Sequence, residues 1–179
     1  MNFTPEEKTE AKDVPFFDDV IGSDGWEGHG TGKSTERLQQ EVSTVIVRLG
    51  GHVTGFQRGS YGEREGLRIE YIVKADDGRF VPGRIDIAAL PVRVTNRNRQ
   101  SAKKRREKSF RMALYMLNTA LKGTWFLQQL SPGYAALMPW MLVDGEKTIS
   151  QAWANSPIMN SLLPPGDSEF IDAEYRDEA

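Results

Sequence analysis

Apolar residues recur along this chain with two different periods. Leu38, Val42, Val45, Ile46 and Leu49 return at spacings of four, three, one and three, which places them on one face of a helix. Ser34 or Thr35 suits its N-cap, and Gly50-Gly51 ends it where a left-handed residue costs least. The period then drops to two. Residues 52–61 carry Val53, Phe56 and Tyr61, with the parity slipping at Gly55 as a bulge would make it. Residues 67–74 set Leu67, Ile69, Tyr71 and Val73 against Arg68, Glu70, Ile72 and Lys74. Asp76-Asp77-Gly78 is a hairpin turn, and residues 79–90 return with Val81, Ile85 and Ile87 opposite Phe80, Arg84 and Asp86. Consecutive hairpins make an antiparallel meander.

The helical period resumes in Phe110, Ala113, Leu114, Leu117 and Leu121, and Lys122-Gly123 is expected to close that long helix. Thr124 can cap a short helix through Trp125-Phe126-Leu127, and Ser131-Pro132 can open another toward Ala135, Ala136, Leu137 and Met138. Asp144-Gly145 turns the chain, and Thr148 can cap a last turn carrying Trp153. The pattern therefore predicts an α+β fold: a helix, a three-stranded antiparallel meander, a long helix and short C-terminal helices, with the helices on one face of the sheet. This makes a single domain over residues 34–163. An irregular acidic segment, 1–33, precedes it, and an acidic tail, 164–179, follows Pro164-Pro165-Gly166.

Composition narrows the chemistry. The 179 residues contain no cysteine and only His29 and His52, which excludes disulfide scaffolds, thiol nucleophiles, zinc ribbons and multi-histidine metal sites. No metal and no cofactor is expected. With 39% hydrophobic and 27% charged residues the chain reads as globular. No run reaches the length of a membrane span, and residues 1–13 are too polar for a signal peptide, so the expected compartment is the cytoplasm, that of a host cell if the protein is phage-encoded.

Charge changes the picture more. The net value of -2 divides into three parts. Residues 1–27 hold eight acids and two bases, a net -6; residues 28–163 hold twenty bases and eleven acids, a net +9; residues 164–179 hold six acids and one base, a net -5. Within the body, residues 93–111 form a basic run: Arg93, Arg97, Arg99, Lys103, Lys104, Arg105, Arg106, Lys108 and Arg111, with Glu107 as the single acid. If its second half joins the long helix, cations crowd the positive end of the helix dipole, which favours a nearby anion. A nucleic-acid backbone would supply one. Arg97, Arg99, Lys103, Lys104, Arg105, Arg106, Lys108 and Arg111 are therefore the candidate contacts. Arg58, Arg68 and Arg84 add to them from strand positions expected to face outward. In the acidic tail, Phe170, Ile171 and Tyr175 could dock on a protein partner or fold back on the basic body.

Two catalytic motifs come close and fail. The run from Gly28 to Thr35 looks like a phosphate-binding loop, but the position that needs the first glycine is Glu27. A helix cap on a glycine loop explains it more simply. Glu70 and Asp86 could serve a strand-borne metal nuclease, but the lysine two places on is replaced by Ile72 and Ala88. Cross-strand pairing with Arg68 and Arg84 is the simpler use of these carboxylates.

Two stretches carry a resemblance. The helix from Ser34 to Gly51 leading into the meander is one. The other runs from Lys108-Ser109-Phe110-Arg111-Met112-Ala113-Leu114 to Trp140-Met141-Leu142-Val143-Asp144-Gly145. Together they resemble small phage- and prophage-encoded proteins of unassigned function, over residues 34–153. The order of elements is also similar to that of single-strand annealing proteins, which set a basic meander and a helix along a DNA groove and assemble into rings or filaments. That resemblance implies a non-enzymatic, single-stranded-DNA-binding protein of phage-type recombination or replication, and self-association. The rival expectation is a phage-type factor that captures a host or viral protein.

Overall fold

The computed structural model describes residues 14–22, 25–62, 64–75, 77–94, 99–131, 133–143 and 145–154. Ser34 accepts a hydrogen bond from the Arg37 amide through its hydroxyl and so caps α1, Thr35–Arg48. Leu38, Val42, Val45 and Ile46 form its buried face. Gly50 then takes φ of +90°, a conformation a side chain would resist, and turns the chain into the sheet.

Three strands follow as an antiparallel meander in the order β1-β2-β3: β1 Gly51–Tyr61, β2 Arg64–Lys74 and β3 Phe80–Ala88. The register of β1 on β2 slips between Val53 and Gly55, the bulge that the broken parity predicts. β2 starts three residues earlier than its apolar alternation indicates, because Glu65 and Gly66 already pair with Ser60 and Gly59. Leu67, Ile69 and Tyr71 of β2 and Ile85 of β3 are buried toward the helices.

The second helix, α2, runs without interruption over Arg99–Leu130. It lies parallel to α1: Glu107 meets Thr35, Asn118 meets Glu41, and Trp125 meets Arg48. Phe110, Leu114 and Leu121 fill the space between α1 and the sheet. Gly123 does not stop the helix. A lone glycine costs a helix only about 1 kcal/mol, and here Trp125 packs on the core beyond it while the Thr124 hydroxyl donates to the Leu121 carbonyl. The helix expected after Ser131 does not form either. Ala136 and Leu137 are instead buried one by one, with the Tyr71 hydroxyl bonded to the Leu137 carbonyl, and only a 3-10 turn follows at Met138–Trp140.

The apolar run after Trp140 lies along the edge of β3. Met141 bridges Gly83, and the Leu142 amide donates to the Pro82 carbonyl. Thr148 then caps α3, Ile149–Ala154: its hydroxyl accepts from the Gln151 amide, and the Gln151 side chain accepts from the Thr148 amide. No described helix is long and apolar enough to cross a membrane.

The described part of the N-terminal segment is irregular but packed. Phe17 and Val20 form a small second core with Leu90 and Met112, and the Phe17 ring stacks on His29.

Candidate nucleic-acid interface

The first turns of α2 decide how the basic run is used. Residues four and three apart share a helix face. Lys103, Lys104, Lys108 and Arg111 fall on one side, and Ala102, Arg105, Ser109 and Met112 on another. The first side faces the end of β1 across a cleft of about 830 Å³. Arg58, Lys103, Lys104, Lys108 and Arg111 line it, five cations against the two carboxylates of Glu65 and Glu107.

Arg58 is the cation that the sheet contributes. It stands opposite Leu67, so it shares the face that the helices cover. Its outward placement, expected from the sequence, is therefore corrected: the bulge at Gly55 shifts the parity of the later half of β1. The guanidinium sits 4.4 Å over the Phe110 ring and donates to Glu107 at 2.7 Å and to Glu65 at 3.0 Å. Thr35 donates to the other Glu107 oxygen at 2.9 Å. Partial burial opposes ionisation of Glu107, but the hydrogen bonds from Arg58 and Thr35 outweigh it and hold the carboxyl below its usual range. The same bond to Glu107 raises Arg58.

Lys103, Lys104 and Lys108 are exposed and form no ion pair with a described residue. Arg111 is half-buried; one of its terminal nitrogens donates to the Lys33 carbonyl, and its Nε has no partner among the described residues. The two cleft carboxylates are both engaged by Arg58, so they hold that residue in place rather than neutralise the lysines. The α2 first turn contains no acid to offset them.

The remaining basic positions are employed elsewhere. Arg105 donates to Asp18 at 2.8 Å and to the Arg93 carbonyl at 2.9 Å, while Arg93 grips Asp19 with both terminal nitrogens. Arg106 is exposed on α2 but does not line the cleft. Arg99 is the first residue of α2, and Arg97 lies outside the described residues, as do Phe170, Ile171 and Tyr175. Arg68 and Arg84 face the other side of the sheet. Arg68 holds Asp86 with two nitrogens, at 2.8 and 3.2 Å. The Arg84 side chain is only 12% exposed; its Nε stands 3.2 Å from Asp86, close enough for an ion pair but not aligned for a hydrogen bond, while one of its terminal nitrogens donates to the Glu146 carbonyl. Asp86 thus takes both arginines.

The glycine loop before α1 is equally committed. Gly28 packs against the Tyr115 ring, and the Lys33 amine is bound to Glu41 at 2.7 Å. That contact, together with Arg37, lowers Glu41 below its usual range against the effect of burial. Among the described residues no group of three His, Asp or Glu side chains is placed to share a metal ion.

Sequence reasoning found the cations and missed the acids that sort them. Glu107 stood out only as an exception in the basic run, although it lies one turn from Lys103 on the same face. Glu65 gave no signal. No family model, curated protein or solved structure matches the chain.

Proposed function

We propose that this protein binds single-stranded nucleic acid, DNA in the first instance, without catalysing a reaction on it. The single observation that carries the reading is the cleft between α2 and the end of β1, where three lysines without acidic partners among the described residues join Arg58 and Arg111. A positively charged groove that tracks one backbone is the usual means of binding a single strand without sequence preference. The setting implied by the resemblance is phage-type recombination or replication. Lys103, Lys104, Lys108 and Arg111 are the proposed phosphate contacts, with Arg58, held by Glu65 and Glu107, at the rim of the cleft; Arg105 and Arg84 serve the fold.

Fluorescence anisotropy with a labelled single-stranded oligonucleotide over a range of salt concentrations tests this. Four phosphate contacts predict a slope of log affinity against log salt of about -3. Absence of binding at low salt, also after removal of residues 164–179, would refute it.

A second reading draws on the far end of α2, where Phe126, Leu127 and Leu130 are exposed, Leu130 by 79%. Exposed apolar side chains close together support a protein contact. A partner retained in pull-downs after nuclease treatment, and lost on Leu130→Asp, would favour it.

A further inference from the structure

β1 has a second side. Arg58 faces the helices, so its neighbour Gly59 faces the open side of the sheet, directly opposite Gly66 of β2. A recess of about 210 Å³ lies there, walled by Gln57, Tyr61 and Arg68 around these two glycines. It shares Arg58 and Gly59 with the cationic cleft, so the two hollows meet over the end of one strand.

The recess is built rather than incidental. A Cβ on Gly66 would collide with the Tyr61 ring, so the ring lies directly on the strand backbone. The Tyr61 hydroxyl is bonded to Asp86; burial first, and then this contact, push the phenol up to about 12, so it stays protonated. Arg68 is fixed by the same carboxylate and presents a planar guanidinium with donors beyond the two that Asp86 takes. Gln57 is exposed and offers both a donor and an acceptor. No atom of a described residue lies within 4 Å of where a Cβ on Gly59 would stand, so that side of the strand is open among the described residues.

We propose that this recess is a nucleobase subsite. With the sugar-phosphate chain in the cleft, a base passes over the strand at Gly59 and seats against Tyr61 and Arg68, its polar edge toward Gln57. An aromatic ring, a guanidinium plane and an amide suit a base of any identity, and stacking needs only its π-face. The volume falls short of the roughly 300 Å³ at which pockets for larger ligands begin, which favours a single ring system. The inference rests on the nucleic-acid reading and makes it specific: the ligand is a single strand with unpaired bases, since a duplex keeps its bases stacked.

The test compares a labelled oligothymidylate with an abasic oligonucleotide of equal length, on the full chain and on Gly59→Val. Valine suits a strand and meets open space, so thermal melting is expected to be unchanged. The unaltered protein should bind the base-bearing strand about tenfold tighter than the abasic one. Gly59→Val should lose that difference. Gln57→Ala, at an exposed side chain, provides a second variant that cannot disturb the core; a drop of about threefold, confined to the base-bearing strand, is expected. Equal affinity of the unaltered protein for both strands, or a difference that survives both substitutions, overturns the subsite and leaves the cationic cleft standing. Failure of both strands to bind at low salt overturns the cleft as well.

Discussion

The first turns of α2 carry positive charge on two faces, and the faces use it in opposite ways. On one, Arg105 is fastened to Asp18 and to the Arg93 carbonyl, Arg93 holds Asp19, and the Ser109 hydroxyl donates to Leu90. Met112, a turn further on, is buried with Phe17 and Val20. Charge on this face attaches the acidic N-terminal segment to the body. On the other face Lys103, Lys104 and Lys108 stay exposed, and the two nearby carboxylates are taken by Arg58. A guanidinium gripped by a carboxylate has its donors aligned and its field largely cancelled. A lysine in solvent keeps its charge for a diffusing anion. A basic run is thus two things at once, and only one of them leaves its cations available to a ligand.

The largest effect that separates the faces comes from reversing the cleft charge. Lys103→Glu, Lys104→Glu and Lys108→Glu together should lower affinity for a single strand at least about a hundredfold at low salt and flatten its salt dependence. Melting temperature should move little, because exposed side chains away from packing contribute about 0.5 kcal/mol or less. If binding survived, the distinction between the faces would fail. The complementary change, Arg105→Ala, should do the reverse. It leaves Asp18, whose side chain is 20% exposed, without the cation that holds it, and loosens the small core beneath. Urea unfolding should show a loss of about 1–2 kcal/mol, while affinity for a single strand changes less than about threefold.

The order of elements was readable because it rests on local pattern. Leu67, Ile69 and Tyr71 alternate since one side of β2 is buried, and Leu38, Val42 and Val45 recur since one side of α1 is. The start of α2 was hidden for the same reason: between Arg99 and Glu107 the polar residues carry no apolar period. Gly123 misled because its cost is local while the packing of Trp125 that overrides it is not. The candidate interface was legible as charge but not as geometry. Arg58 reaches Glu107 across 49 positions, and Arg105 reaches Asp18 across 87. Which cation is bound and which remains available depends on those distant acids, and on a one-residue bulge that turns Arg58 toward the helices.

Glu107 is where the two uses of charge meet, so its removal should move stability and binding in opposite directions. The carboxylate bonds Arg58 and Thr35 and ties β1, α1 and α2 together at the rim of the cleft. It also places a negative charge among five cations. Glu107→Gln keeps the size and a hydrogen-bonding group but removes the charge. Arg58 should stay in place, since Phe110 lies beneath its guanidinium. Affinity for a single strand should rise severalfold, by about two to five times, through loss of one repulsive charge. Stability should fall by no more than about 1 kcal/mol, as expected for a partly exposed pair. The pH dependence provides the internal check. The Glu107 carboxyl titrates lower in the folded protein than in the unfolded chain, so its contribution is complete above the ordinary glutamate value near pH 4.3 and is lost as pH falls through the folded value. The stability difference between the native protein and Glu107→Gln should therefore be constant from neutral pH down to about pH 5 and shrink below it. A difference that does not change with pH would mean that Glu107 acts through packing alone, and the opposed effect on binding should then vanish with it.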